Sequence, residues 1–196
     1  MLVVVHRDVV DAYFRHRSSL GKLAFRGGDE RHSVRAGGIP LQNTILSWFT
    51  VRPVERPDAA LWLELRCALW PASSRMEHAD EIARFFDGRA REPLAVLIAT
   101  TGTGSAIGFA ELSIRAGAEG CSTDRVAYLE GWYVAEPFRR IGVGASLLRA
   151  AEAWARAQGC TEMASDTWID ADVSQRAHEA LGFEVVDRCV NYRKAL

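Results

Sequence analysis

The stretch Val126 to Ala151, VAYLEGWYVAEPFRRIGVGASLLRAA, restricts what this chain can fold into more than any other part of it. Val126 to Val134 are rich in β-branched, aromatic and aliphatic residues, with Glu130 and one glycine among them, which predicts a buried strand carrying a bulge. Pro137 ends that strand. Ala145, Leu147, Leu148, Ala151 and Trp154 then recur at the spacing of one apolar helix face, so Gly142 and Gly144 stand where a helix begins. The N–H groups of a first helical turn have no partner within the helix, and the dipole is positive there. Glycines that let an anion approach make such a turn a phosphate cradle.

The loop lacks the Gly-Lys-Ser/Thr of a P-loop, which argues against nucleoside triphosphate chemistry. It also lacks a G-x-G-x-x-G directly after a strand with an acidic residue placed for a ribose, which weakens a dinucleotide fold. What remains is R-x-x-G-x-G, spelled Arg139-Arg140-Ile141-Gly142-Val143-Gly144, preceded by the V-x-x-P of Val134 and Pro137. A glycine-rich helix start with basic residues for solubility is the plain alternative. The pattern resembles the acetyl-coenzyme A pyrophosphate loop of the GNAT superfamily of N-acetyltransferases.

With 196 residues, 48% of them hydrophobic, the chain can bury one substantial core. Its net charge of −1 hides an asymmetry, because residues 1–48 hold seven Lys/Arg against four Asp/Glu, leaving 17 against 21 beyond them. A mildly acidic globular part argues against nucleic acid as the main ligand and is compatible with a cationic one. Cys67, Cys121, Cys160 and Cys189 form no C-x-x-C pair and have no His at metal-ligand spacing, so no metal is expected and the thiols read as reduced, in a cytoplasmic protein. No apolar run reaches membrane-spanning length, and Met1 to Val5 is cut short by His6, Arg7 and Asp8, too soon for a signal-peptide core.

Residues 1–48, with the pairs Gly27-Gly28 and Gly37-Gly38 and one helix-like piece from Val9 to Leu20, read as a poorly ordered extension. His6, His16 and His32 lie there without Cys or clustered carboxylates. From Phe49 the pattern predicts a strand to Val54, a helix from Pro57-Asp58 to about Trp70, and a helix capped by Ser73 or Ser74 and ended by Gly88. A hairpin of Leu94 to Thr100 and Ala106 to Arg115 follows, then the loop Ala116 to Arg125 and the organising strand. Beyond the glycine loop and its helix come a strand over Cys160 to Thr167, a helix from Ala171 to Leu181, and two short strands, Phe183 to Asp187 and Cys189 to Lys194. This β-α-α-β-β-β-α-β-α-β-β order is the GNAT order, an α/β fold with a mixed central sheet, splayed fourth and fifth strands and flanking helices. It covers residues 49–196.

Leu65-Arg66-Cys67-Ala68-Leu69-Trp70-Pro71, Met163 to Thr167, Ser174 to Phe183, Leu129-Glu130-Gly131 and Tyr192-Arg193-Lys194 look like the aminoglycoside 6'-N-acetyltransferases of that superfamily. The resemblance implies acetyl-coenzyme A as co-substrate, direct transfer to an aminoglycoside 6'-amine, antibiotic resistance and a homodimer. It places Trp132, Tyr133 and Val134 along the pantetheine, with Arg139, Arg140, Ile141, Gly142, Val143, Gly144 and Ala145 around the pyrophosphate. Glu130, Asp166 and Asp187 would hold the polycation, with Trp70 as a wall and Glu111 in reserve. Asp166 is the first candidate for proton acceptor, Glu130 the second. His178 stands where many GNAT enzymes have a tyrosine that protonates the thiolate, and Ser174 stands where the family usually has asparagine. A protein amine or another polyamine as acceptor, or a non-catalytic acyl-coenzyme A-binding module, are the competing readings. For Glu130, which interrupts an apolar strand, burial of an unpaired carboxylate would be costly, and that favours function over packing.

Overall fold

A computed structural model describes residues 48–195 of the chain. The expected helix-like piece Val9 to Leu20 and the three amino-terminal histidines lie outside the described residues. The elements run β1 (Phe49–Pro53), α1 (Ala59–Leu69), α2 (Arg75–Phe86), β2 (Ala95–Thr101), β3 (Ala106–Arg115), β4 (Val126–Val134), α3 (Val143–Ala157), β5 (Glu162–Ser165) and α4 (Asp172–Glu179). The strands lie side by side in chain order, antiparallel as far as β4, with β5 parallel to β4. A parallel step needs a crossover, and α3 supplies it.

Local chemistry sets the helix starts. Ahead of α1, the Asp58 side chain caps nothing on the helix; it accepts from Arg52 Nη1 and Nη2 at 2.6 and 2.8 Å and from the Glu55 N–H at 2.8 Å, which ties the helix start to β1. Ser74 opens α2 with a capping box: its Oγ accepts from the Glu77 N–H at 3.2 Å, while the Glu77 carboxylate accepts from the Ser74 N–H at 2.8 Å.

The sheet is covered on both faces. Trp62, Leu65 and Leu69 of α1 and Ile82 and Phe85 of α2 pack on Val96, Ile98 and Phe109. On the other face Val143, Leu147, Leu148 and Ala151 of α3 pack on Leu97, Ala99, Ile107, Ala110, Leu112, Leu129 and Trp132. Between β3 and β4 the register shifts. Glu111 pairs with Gly131 whereas Leu112 pairs with Leu129, so Glu130 is the extra residue of a bulge.

Two expectations are corrected. The strands expected over Phe183 to Asp187 and Cys189 to Lys194 do not form, and β5 is shorter than Cys160 to Thr167. Apolar residues make a strand only where a neighbour offers hydrogen bonds and a surface to bury against. The segment 183–195 joins no ladder, and Val185, Val186, Val190 and Tyr192 are exposed along it. No helix among the described residues is long and apolar enough to cross a membrane.

Trp62 is the center of the α1 side. It is fully buried, meets Phe85 and Phe86 edge-on, and donates its indole N–H to Glu111 at 2.8 Å. Trp62→Phe removes packing volume and one donor from a buried carboxylate, and is expected to lower unfolding free energy by ~2–4 kcal/mol in equilibrium urea denaturation.

Candidate active site

β4 separates two environments. Its ladder with β5 runs only from Val126↔Glu162 to Leu129↔Ser165, and past the bulge residues 131–134 keep β3 as their neighbour on one side while β5 has already ended on the other. The strands therefore part at the bulge, which leaves the edge of Trp132, Tyr133 and Val134 facing a gap.

On the α3 side of that gap, Gly142 caps the helix with a left-handed φ of 92° and no side-chain cap bond, and the first intrahelical bond is Ser146 N–H to the Gly142 carbonyl at 2.9 Å. The amides of Val143, Gly144 and Ala145 thus form the open first turn. A Cβ at position 142 would meet nothing within 4 Å. Left-handed backbone at Arg140, with φ 60°, helps turn the chain into this loop. Arg139 folds back, donating from Nε to the Val134 carbonyl at 2.9 Å and lying over the Tyr133 ring at 5.8 Å. Ile141 is exposed. Trp132 packs beside Gly144, and its buried indole N–H has no hydrogen-bond partner among the described residues. An open helix start beside an unanswered buried donor fits an anionic, amide-bearing ligand.

His178 closes this side. Its ring meets Trp132 edge-on at 5.3 Å, and its Nδ1 lies 2.9 Å from the Ser174 carbonyl. A carbonyl only accepts, so Nδ1 carries the hydrogen, and Nε2 faces Ser165 Oγ at 3.1 Å. Burial pulls the His178 pKa below the usual histidine range against the opposing bond to Ser174. Nε2 of the neutral ring is then an acceptor. Ser165 Oγ also lies 3.1 Å from the Leu129 carbonyl, at the last rung before the strands part, so its single hydroxyl hydrogen alternates between that carbonyl and Nε2.

On the α1 side the β3 residues Phe109, Glu111, Ser113 and Arg115 alternate onto the face that carries Phe109 in the core. Glu130 joins them from the bulge. It is 9% exposed and accepts from Ser113 Oγ, from Arg115 Nε at 3.2 Å and from Arg115 Nη2 at 3.0 and 2.9 Å. Burial raises its carboxyl to about 7 despite the opposing pull of Ser113 and Arg115. The Arg115 guanidinium lies 3.3 Å above the Tyr128 ring. Burial, and next the charge of Asp166, push the Tyr128 hydroxyl up, which places Asp166 within electrostatic reach of the same cluster. Asp166 itself is exposed just beyond β5.

Trp70, at the end of α1, presses its ring on the bulge and faces Phe109 at 6.0 Å. Arg66 lies over Trp70 at 5.0 Å and pairs with Glu81 at 2.6 Å and Glu111 at 3.3 Å. Glu111 is thereby bound into a packing network with Trp62. Asp187 stands on the exposed carboxy-terminal segment and accepts from the Arg188 N–H at 2.7 Å. The structure therefore gathers Glu130, Asp166 and Trp70 around the bulge in the middle of β4, with Asp187 on a separate segment. Sequence reasoning passed over Ser113, Arg115, Tyr128 and Ser165. A Ser and an Arg alternating with apolar residues on β3 were the available signal for the first two, but only the register of β3 against β4 shows whom they meet.

Residues 59–183 match the acetyltransferase (GNAT) family. The chain is 53% identical over 146 residues, 74% of its length and 96% of the relative's, to the aminoglycoside N(6')-acetyltransferase type 1 of Klebsiella aerogenes. This chain belongs to the aminoglycoside N(6')-acetyltransferases of the GNAT family. It is 43% identical over 136 residues to the enzyme of that name from Serratia marcescens, covering 69% of this chain and 91% of the relative. Among solved structures, AAC(6')-Iy in complex with the bisubstrate analog CoA-S-monomethyl-acetylneamine aligns with a TM-score of 0.69 at 37% identity, over 76% of this chain and 99% of that one. AAC(6')-Ih from Acinetobacter baumannii aligns with a TM-score of 0.69 at 36% identity, with the same coverage of 76% and 99%. The chain is thus an acetyltransferase with the GNAT fold.

The bulge has one steric requirement. A Cβ at position 131 would stand 2.6 Å from Trp70 Cη2. Gly131→Ala is expected to cost ~1–3 kcal/mol of stability in urea denaturation. In a Trp70→Ala background the same change is expected to cost less than half as much, because the clashing ring is gone.

Proposed function

We propose that this enzyme transfers an acetyl group from acetyl-coenzyme A to the 6'-amino group of aminoglycoside antibiotics and so confers resistance. The observation that carries the reading is the pairing of two environments across β4, an open helix start with a strand gap on one side and buried or charged carboxylates with Trp70 on the other. The relatives' names concern the same acceptor class.

Acetyl-coenzyme A supplies the acyl group as an activated thioester. The amides of Val143, Gly144 and Ala145, with the charge of Arg139 and Arg140, would hold its pyrophosphate. Trp132, Tyr133 and Val134 would hold the pantetheine arm along the open edge of β4, and Ile141 would border it. A backbone N–H on this edge would face the oxyanion of the tetrahedral intermediate. Glu130 would take an ammonium of the acceptor, Trp70 would pack against a sugar ring, and Asp187 would contribute if its segment approaches. Asp166, exposed and beside the same cluster, would accept the proton that the attacking amine must lose. His178, with Nε2 unprotonated, would hold Ser165 at the gap rather than itself supply a proton to the thiolate.

A cytoplasmic location, where acetyl-coenzyme A is available, belongs to the same reading and agrees with the free thiols of all four cysteines. So does a homodimer: Val185, Val186, Val190 and Tyr192 expose an apolar run on a segment that forms no ladder in its own chain.

Thiol release from acetyl-coenzyme A with kanamycin or tobramycin tests the reading directly. Turnover is expected with wild type, a loss of roughly 100-fold or more in kcat with Asp166→Asn, and a raised acceptor KM with Glu130→Gln. Since Glu130 binds a cation only when ionised, kcat/KM for the acceptor is expected to rise with pH through about 7 and to lose that limb in Glu130→Gln. Wild-type enzyme without turnover on any aminoglycoside would overturn the proposal.

A further inference from the structure

Glu130 reaches the acceptor side already engaged. Its Oε1 accepts from Ser113 Oγ and from Arg115 Nε and Nη2, while Oε2 accepts from Arg115 Nη2 at 2.9 Å. A carboxylate has about four lone-pair sites. Oε2 is therefore the oxygen with room for a further donor. The guanidinium making these bonds is held from behind, 3.3 Å from the center of the Tyr128 ring, so it cannot leave Glu130 without also leaving the ring. Both side chains are largely withdrawn from water, at 21% for Arg115 and 11% for Glu130.

We propose that Arg115 is a positioning residue, a built-in counter-cation clamped on Tyr128 that favours the ionised carboxylate of Glu130 and turns its Oε2 toward a cationic acceptor. The inference rests on the reading of the acceptor as a polycationic amine. It departs from the simple picture in which a free carboxylate waits for the substrate's ammonium.

The surroundings of Glu130 are otherwise unfavourable to its charge. Burial acts first, and Glu92, on the segment ahead of β2, adds repulsion. From β4, Tyr128 brings a hydroxyl kept protonated by burial and by the charges of Asp166 and Glu119. On α1, Arg66 is committed to Glu81 and Glu111. Arg115 and Ser113 are the groups that oppose this pressure, both from β3, and Arg115 alone brings charge. An isosteric neutral side chain in place of Arg115 leaves the carboxyl buried and moves its proton equilibrium up, so the neutral form dominates at pH 7.

The test has two arms, using the full chain with Arg115→Met and the charge-retaining Arg115→Lys. In the first, carbon NMR of carboxyl-labelled glutamate follows the titration of Glu130, identified by its absence in Glu130→Gln. Arg115→Met is expected to shift the midpoint upward by about one pH unit or more, and Arg115→Lys to restore most of the wild-type value. An unmoved midpoint in well-folded Arg115→Met overturns the proposal. This arm needs no acceptor, so it stands or falls independently of the proposed function. In the second, the ratio of acceptor KM between Arg115→Met and wild type is measured against pH. A ratio of about fivefold or more at pH 7 is expected, falling toward one as pH passes the raised midpoint, with KM for acetyl-coenzyme A unchanged. A ratio independent of pH would mean that Arg115 only packs, and a ratio below one at pH 7 would mean that it competes with the acceptor. Either result overturns the assignment.

Discussion

The site depends on one extra residue in one strand. Because Glu130 is inserted into β4 without a partner on β3, the strand turns away from β5 after a single short run of parallel pairing. That turn creates the gap on one side and carries a carboxylate to the face covered by α1 on the other. The bulge is supported sterically by Trp70 against Gly131 and electrically by Ser113 and Arg115 against Glu130. A residue with any side chain at position 131 would collide with Trp70, so the glycine of the strand and the tryptophan at the end of α1 are one device.

Electrostatics on this face balances desolvation against pairing. Burying a carboxylate without partners costs several kcal/mol, and the ordinary response is protonation. Here the two carboxylates of β3 and β4 each receive an arginine and one neutral donor: Arg66 and Trp62 for Glu111, Arg115 and Ser113 for Glu130. The networks differ in their outlook. Glu111 is enclosed between α1 and the sheet, whereas Glu130 borders the end where β4 and β5 separate. The first is a packing element, and the second is the one proposed to meet the acceptor.

Much of this was legible in the sequence. The nine-residue strand Val126 to Val134, its internal glycine and the helix opening at Gly142 appear as expected, since apolar periodicity and a left-handed glycine are local signals. The capping box of Ser74 and the Thr101 to Gly104 hairpin turn are local in the same sense. What periodicity could not supply was pairing. It suggested strands over residues 183–187 and 189–194, where apolar residues alternate but no edge receives them. It also left Arg115 unremarked, because an arginine at the end of a strand looks like a solvated terminus until the fold brings its guanidinium to the Glu130 carboxylate. The role of Glu111 was open for the same reason: only the fold brings Trp62, 49 residues away, to its carboxylate.

These relations converge on one claim, that the parted strands present a thioester to an amine held by carboxylates on the α1 face. Two-dimensional NMR of the purified product from kanamycin and acetyl-coenzyme A tests it most directly. The expected result is a single new amide whose carbonyl correlates with the 6'-methylene protons. Acetylation at a different amine, or recovery of unmodified kanamycin after prolonged incubation, would contradict it.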